Sequence, residues 1–136
     1  MQRLELSIQA DGVLESAAKA LLAGGVAIFP TDTVYGIGAL PQYSAALEQI
    51  YKLKDRPLGM PLPLLISDIA QVRTVSSFES ESLHLLTKAF WPGPLTLVLP
   101  DASSALNSFV AQDGTIAVRS PDHAFIRSLC LSLIHI

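Results

Sequence analysis

Positively charged side chains occur in one short segment at a spacing that could bind an anion. Lys54 and Arg56 are two residues apart, and Pro57 favours an extended backbone at Arg56. Alternate side chains of an extended segment share a side, so both cations could reach one phosphate chain, the lysine as a point charge and the arginine as a fork. A second explanation also fits, in which the two cations are placed favourably at the C-terminus of a helix.

A group of polar side chains follows a short apolar run at residues 26–29, which lies between a pair of glycines and Pro30. Such a run predicts a buried strand. Thr31, Asp32 and Thr33 then fall just past its end, where open α/β sheets bind ligands. Two hydroxyls and a carboxylate could hold a small polar molecule there. A polar loop that only caps the next element explains the pattern equally well.

Two single residues complete the candidates. Arg119 directly follows an apolar run at residues 115–118, and a charge at the end of a buried strand needs a partner. This partner could be a ligand carboxylate or phosphate, Asp32 or Asp122. Thr96 could line a pocket, although its β-branched side chain favours a plain strand position. The sequence has no metal-ligand spacing, Walker A loop, nucleophile elbow or dinucleotide fingerprint, so it predicts neither a metal site nor a covalent nucleophile.

Alternating helices and strands must position these residues, and this order predicts an α/β fold with a mixed sheet. The predicted strands cover residues 3–8, 26–29, 64–67, 95–99 and 115–118. The predicted helices begin near Asp11, Ser44, Ser77 and Asp122. Asp11 and Ser44 are the predicted caps of the first two helices, and Ser120, followed by Pro121, is the predicted cap of the last. The predicted buried stripes are Leu47, Ile50 and Tyr51 on the second helix and Leu83, Leu86 and Phe90 on the third.

Composition limits the class of protein. A length of 136 residues suits one domain, and half of the residues are apolar while 15% are charged, which argues against disorder. The sequence has neither a membrane-spanning run nor a secretory signal. Its one cysteine, Cys130, cannot form an internal disulfide, so we expect a reducing, cytoplasmic location. The net charge of −3 disfavours a surface built to bind nucleic acid.

Four motifs, in the right order and spacing over about residues 10–130, resemble the YrdC-like family of threonylcarbamoyl-AMP synthases. They are Pro30-Thr-Asp-Thr-Val-Tyr-Gly36, Lys54-x-Arg56-Pro57 with Pro61-Leu62, Phe90-Trp-Pro-Gly-Pro-Leu-Thr-Leu97 and Val118-Arg-x-Pro121. The resemblance implies a twisted mixed sheet with flanking helices around a deep cationic cavity. It also implies that the fold is incomplete at the C-terminus, because the family continues to a Ser-x-Asn motif.

The resemblance implies an enzyme, a nucleotidyltransferase that converts L-threonine, bicarbonate and ATP, with Mg²⁺, into threonylcarbamoyl-AMP and pyrophosphate. The product feeds threonylcarbamoyladenosine formation in tRNA through downstream tRNA threonylcarbamoyl transferase proteins, with at most weak tRNA contact and no membrane. No catalytic acid or base and no protein-bound metal is implied. The positions that match the family are Thr31, Thr33, Tyr35 and Arg119 for threonine, Lys54 and Arg56 for the triphosphate, and Thr96 for the cavity wall.

Two other functions stay open, a non-catalytic RNA-binding module and the carbamoyl-transfer domain of a hydrogenase maturation protein. Met60 and Leu65 depart from the polar residues that family members often carry, so those contacts would be absent or replaced. We expect residues 1–130 to be the N-terminal portion of the domain and residues 131–136 (LSLIHI) to be non-native, because the transposase adapter CTGTCTCTTATACACATC encodes them. Such a fragment should expose apolar surface and have little activity alone.

Overall fold

The structure is a computed structural model that describes residues 10–134. Its helices are α1 (Ala10–Leu22), α2 (Ser44–Lys54), a 3₁₀ helix (Ile69–Thr74), α3 (Glu81–Phe90) and α4 (Ala124–Ile134). Its strands are β1 (Ala27–Phe29), β2 (Gly36–Gly38), β3 (Leu64–Leu65), β4 (Leu97–Leu99), β5 (Ala111–Gln112) and β6 (Thr115–Arg119). The strand predicted at residues 3–8 and the Asp11 side chain lie outside the described residues. Within them, no helix is both long and apolar enough to cross a membrane.

A twisted mixed sheet is organised around β6, as the sequence predicts. Strand β3 pairs with β6 in parallel, whereas β4 and β5 pair with it antiparallel. Ile116 and Val118, on one face of β6, are 1% and 0% exposed. They belong to a core with Ile66, Val72, Val75, Leu83 and Leu99. The opposite face of β6 carries Arg119, so the core fixes the strand from which this arginine projects.

The first strand belongs to a separate antiparallel hairpin, which the sequence did not predict. Strand β1 pairs with β2, and Phe29 lies opposite Gly36. A Cβ atom would come within 3.0 Å of the Phe29 ring at Gly36 and 2.9 Å at Gly38, so glycine is needed for this close approach. The prediction of a buried strand was wrong, because Ile28 is 65% exposed on the uncovered face of the hairpin.

Helix α2 buries the stripe that its pattern predicts. Leu47, Ile50 and Tyr51 are each at most 3% exposed. The predicted cap was wrong, because Ser44 is already the first helical residue and makes no capping bond. Its hydroxyl instead accepts a hydrogen bond from Asn107 Nδ2 at 2.6 Å, which ties the start of α2 to the loop before β5.

Helix α3 begins later than predicted, because Ser80 rather than Ser77 caps it. The Ser80 hydroxyl accepts a hydrogen bond from the Leu83 amide at 3.0 Å. Of the predicted stripe, Leu83 is buried, whereas Leu86 and Phe90 are 39% and 55% exposed. The described residues therefore leave part of the apolar side of α3 uncovered.

Helix α4 also begins after its predicted start, at Ala124. Ser120 does not cap it, because the Ser120 side chain is buried and its hydroxyl donates to the Ser67 carbonyl at 2.7 Å. This hydrogen bond joins the segments that follow the parallel strands β3 and β6. It holds the end of β6, and with it Arg119, in a fixed position.

Candidate functional site

A cavity of about 550 Å³ opens between the β1–β2 hairpin, the end of α2 and the end of β6. Much of its wall is apolar and comes from α2, α4 and the segment around β3. The polar residues that line it include Thr31, Thr33, Tyr35, Lys54, Arg56 and Arg119. The structure thus brings the predicted hydroxyls and cations, which lie far apart in the sequence, to one hollow.

Arg119 is held at the cavity wall by three contacts. Its Nη2 forms an ion pair with Asp32, its Nη1 donates to Thr33 Oγ1 at 3.3 Å, and its Nε donates to the Gly93 carbonyl at 3.0 Å. The Arg119 and Asp32 side chains are only 15% and 13% exposed. Of the two aspartates that the sequence left open as partners, Asp32 pairs with Arg119, whereas Asp122 pairs with Arg127. The pair is formally neutral.

The hairpin loop keeps its shape through its own hydroxyl groups. Thr31 Oγ1 donates to the Val34 carbonyl at 2.6 Å and accepts from the Thr33 amide at 3.2 Å. The Thr33 hydroxyl therefore faces both Thr31 and Arg119. Tyr35 lines the cavity while 75% of its surface stays exposed, so it lies at the rim.

Lys54 and Arg56 line the cavity, but the backbone between them is not extended as predicted. Helix α2 ends at Lys54, and Asp55 adopts a left-handed conformation with φ of 47°. Helices commonly end in this way, and aspartate tolerates the conformation better than most residues. The turn, rather than strand-like alternation, brings both cations to the same hollow.

Arg56 has a structural role besides its position in the cavity. Its Nε and Nη2 donate to the carbonyls of Met60 and Pro61 at 3.0 and 2.9 Å, and the Tyr51 hydroxyl also donates to the Met60 carbonyl, at 2.7 Å. Among the residues that the structure describes, no carboxylate forms an ion pair with Lys54 or Arg56. These two cations therefore give the cavity positive charge that no described acid balances.

The family resemblance implies that Thr96 forms part of the cavity wall, but the structure places Thr96 elsewhere. It is exposed and does not line this cavity. Leu97 pairs with Val118 in the antiparallel register, and one further step along the two strands places Thr96 across from Arg119. Thr96 is therefore a neighbour of the site at the sheet edge.

A sequence profile of the Sua5/YciO/YrdC family, which carries the description "Telomere recombination", matches residues 19–135. The chain belongs to this family.

Similar proteins include two relatives named threonylcarbamoyl-AMP synthase. The one from Bacillus subtilis is 40% identical over 120 residues, which cover 88% of this chain and 35% of the relative. The one from Marinobacter nauticus is 36% identical over 86% of this chain and 62% of the relative. The crystal structure of Pyrococcus abyssi Sua5 complexed with L-threonine superposes with a TM-score of 0.80 at 34% identity, over 97% of this chain and 37% of that one. The chain thus spans less than two thirds of the length of each.

This Sua5/YciO/YrdC member also places in its cavity wall a residue that sequence reasoning missed. Gln71 is 7% exposed, its Oε1 accepts from the Ser67 amide, and its Nε2 donates to the Cys130 carbonyl at 3.2 Å. Gln71 thereby connects the segment after β3 to α4. Nothing in the sequence predicted this role, because the 3₁₀ helix that carries Gln71 has no recognisable pattern.

Cys130 lines the same cavity from α4 as a protonated thiol. Its Sγ donates to the Leu65 carbonyl at 3.4 Å, and burial raises the pKa of the Cys130 thiol to about 12. A thiol with so high a pKa is a poor nucleophile at neutral pH.

The described part of this family member contains no cluster of His, Cys, Asp or Glu side chains that could hold a metal ion. Neither aspartate nor glutamate is among the residues that line the cavity. The polar side chains that line the cavity are instead cations, hydroxyls, the Gln71 amide and the Cys130 thiol. Cations and hydroxyls suit the binding of anionic and zwitterionic molecules.

Proposed function

We propose that the protein to which this chain belongs is an L-threonylcarbamoyl-AMP synthase, which converts L-threonine, bicarbonate and ATP into threonylcarbamoyl-AMP and pyrophosphate. One observation supports this above all: a single cavity is lined both by Arg119, which pairs with Asp32 beside hydroxyls, and by two cations, Lys54 and Arg56, that no described carboxylate pairs with. The names of the Bacillus and Marinobacter relatives and the threonine in the Pyrococcus crystal structure point to the same reaction.

The end of the cavity around Arg119 suits an amino acid. Free threonine is a zwitterion with no net charge, so a neutral ion pair with nearby hydroxyls matches it better than an unbalanced cation. Each terminal nitrogen of Arg119 makes one of the contacts described, which leaves a further N–H on each for a carboxylate. The hydroxyls of Thr33 and Tyr35 supply further polar contacts for the same molecule.

The end around Lys54 and Arg56 suits the triphosphate of ATP. The threonine amine combines with bicarbonate to form a carbamate and water. A carbamate oxygen then attacks the α-phosphorus, and the bond to the β-phosphate oxygen breaks to release pyrophosphate. Negative charge develops on the leaving pyrophosphate, so fixed cations beside it stabilise the transition state. Since the cavity lining has no carboxylate, catalysis rests on positioning and electrostatics.

The remaining participants follow from the reaction. Mg²⁺ enters as part of the ATP substrate, bound through phosphate oxygens and water, because the cavity lining offers it no carboxylate. The product passes to tRNA threonylcarbamoyl transferase proteins. Because these proteins modify tRNA, we expect the synthase to act beside them in the cytoplasm. The protein itself makes no more than weak contact with tRNA.

The experiment that tests this function measures pyrophosphate release by the full-length gene product, with and without threonine and bicarbonate. We expect Lys54→Ala to lower kcat/KM for ATP by roughly 100-fold or more, the usual loss when a group that stabilises transition-state charge is removed. Lys52→Ala is the matched control, because Lys52 lies in the same last helical turn, is exposed and does not line the cavity. It should change kcat/KM by less than about twofold.

The outcomes separate the parts of the proposal. Near-normal turnover in Lys54→Ala would remove the triphosphate assignment. The absence of threonine-dependent pyrophosphate release in the wild type would remove the function. Arg56→Ala is less informative than Lys54→Ala, because it also frees the loop that Arg56 holds through the Met60 and Pro61 carbonyls.

A further inference from the structure

Asp32 stands apart from the other polar residues of the hairpin loop, because Thr31 and Thr33 line the cavity and Asp32 does not. Its carboxylate instead contacts Arg119, and its side chain is 13% exposed. We propose that Asp32 is a positioning residue that holds the Arg119 guanidinium towards the cavity and keeps this end of the site neutral, so that it takes the zwitterionic amino acid rather than phosphate. This inference rests on the proposed function.

The first step in the argument is geometric. An arginine side chain has several rotatable bonds, and fixing it costs conformational entropy unless contacts compensate. Arg119 is fixed from two sides, by Asp32 and Thr33 of the hairpin loop and by the Gly93 carbonyl of the turn before β4. Of these partners only Asp32 carries a charge, and the ion pair is largely shielded from water, where such attraction exceeds that of an exposed pair.

The second step is electrostatic. A cavity with three unbalanced cations would offer a triphosphate several positions. Asp32 neutralises Arg119, and no described carboxylate neutralises Lys54 or Arg56. The phosphates are thereby directed to the end of α2 and the amino acid to the end of β6. An isolated guanidinium at Arg119 would bind any anion, including one without an amino group.

The test measures L-threonine binding to the full-length protein by calorimetry. Asp32→Asn keeps the shape of the side chain and removes its charge, and we expect it to raise the Kd for threonine at least tenfold. Asp32→Glu restores the charge and should return the Kd to within about threefold of the wild type. The matched control is Asp122→Asn, which removes an equal charge from the exposed pair with Arg127 and should change the Kd by less than twofold.

A second readout would not respond to a merely structural role. Acetate carries a carboxylate and no amine, so it should compete with threonine for the unneutralised Arg119 of Asp32→Asn. In the wild type, acetate at the same concentration should leave threonine binding unchanged. An unchanged Kd in Asp32→Asn, or equal competition by acetate in both proteins, would overturn the proposal.

A third measurement needs no ligand and separates this proposal from the proposed function. Hydrogen exchange at the Arg119 Nε–H, followed by NMR, should be at least tenfold faster in Asp32→Asn than in the wild type. If the wild type binds no threonine, the proposed function fails, but the exchange rates still test the role of Asp32. Equal exchange rates in the wild type and Asp32→Asn would overturn that role. Faster exchange in Asp32→Asn would preserve its positioning role.

Discussion

At the scale of single residues, the partners of each arginine decide what it can do. Arg119 is paired with Asp32, Arg56 donates to two backbone carbonyls, and Arg127 forms an exposed pair. The sequence could show that Arg119 needed a partner at the end of a strand, but it could not choose between two aspartates. It gave no sign that Arg56 holds its own loop, because carbonyl partners leave no pattern of residue types.

Cys130 provides a prediction at this scale. With a thiol pKa of about 12, the native protein at pH 8 has far less thiolate than a free cysteine, whose pKa is about 8.5. We expect iodoacetamide to alkylate native Cys130 at least about 100-fold more slowly than the same chain unfolded in urea, since the thiolate is the nucleophile. The rate in the native protein should rise about tenfold for each pH unit between 8 and 11.

The same pKa shift has a consequence for stability. The pKa in the folded state exceeds that in the unfolded state, so the thiol stabilises the fold fully below about pH 8.5, and this contribution is lost as the pH rises towards 12. Cys130→Ala, which has no such group, should lose less stability over this range. Alkylation of the native protein at the free-cysteine rate would contradict the burial of the Cys130 thiol between α4 and β3.

At the scale of secondary-structure elements, strongly periodic segments could be predicted and pairings between distant segments could not. The 3.6-residue pattern of Leu47, Ile50 and Tyr51 is local, so α2 was found. Strand β2 was missed because Gly-Ile-Gly has little strand propensity and is held by pairing with β1 and by the Phe29 ring. The common cavity was implied by the family resemblance alone, since no local pattern brings Lys54 near Arg119.

Tyr51 connects helix α2 to the loop beside Arg56, and removing its hydroxyl group tests how much this connection stabilises the fold. Its hydroxyl donates to the Met60 carbonyl at 2.7 Å and contacts the Phe109 carbonyl at 3.2 Å, and the residue is 3% exposed. Tyr51→Phe should lower the free energy of unfolding by about 1 kcal/mol, the usual net contribution of a lost hydrogen bond, because Arg56 and the Leu62 amide still donate to the two carbonyls. Urea unfolding followed by circular dichroism measures this change.

Tyr35→Phe is the control for Tyr51→Phe, because Tyr35 is 75% exposed. It should change the free energy of unfolding by less than about 0.5 kcal/mol. Equal effects of the two variants would mean that the Tyr51 hydroxyl does not hold the loop beside Arg56. The decisive result is whether Tyr51→Phe lowers the free energy of unfolding more than Tyr35→Phe does.

At the scale of the whole molecule, the two sheets enclose the cavity but leave apolar surface uncovered. Ile28 of the hairpin, Val98 of β4 and Phe90 of α3 are 65%, 67% and 55% exposed. The chain spans 62% of the Marinobacter relative and 35% of the Bacillus relative. We propose that residues 131–136 are not native and that native sequence after Cys130 covers part of this surface.

Long-read sequencing of unamplified source DNA gives the first test of this proposal. We expect the reading frame to diverge from the LSLIHI codons directly after Cys130, because the adapter sequence accounts for all of them. The same six codons followed by a stop would contradict the proposal outright.

The protein encoded by the recovered frame gives the second test. Dyes such as ANS fluoresce on exposed apolar surface, so their fluorescence falls when added chain covers such surface. The 136-residue chain should therefore bind at least about threefold more ANS per mole than the full-length protein, with both measured well below their melting temperatures. Equal ANS fluorescence would mean that the added chain leaves Ile28, Val98 and Phe90 exposed, and these faces would then need another explanation.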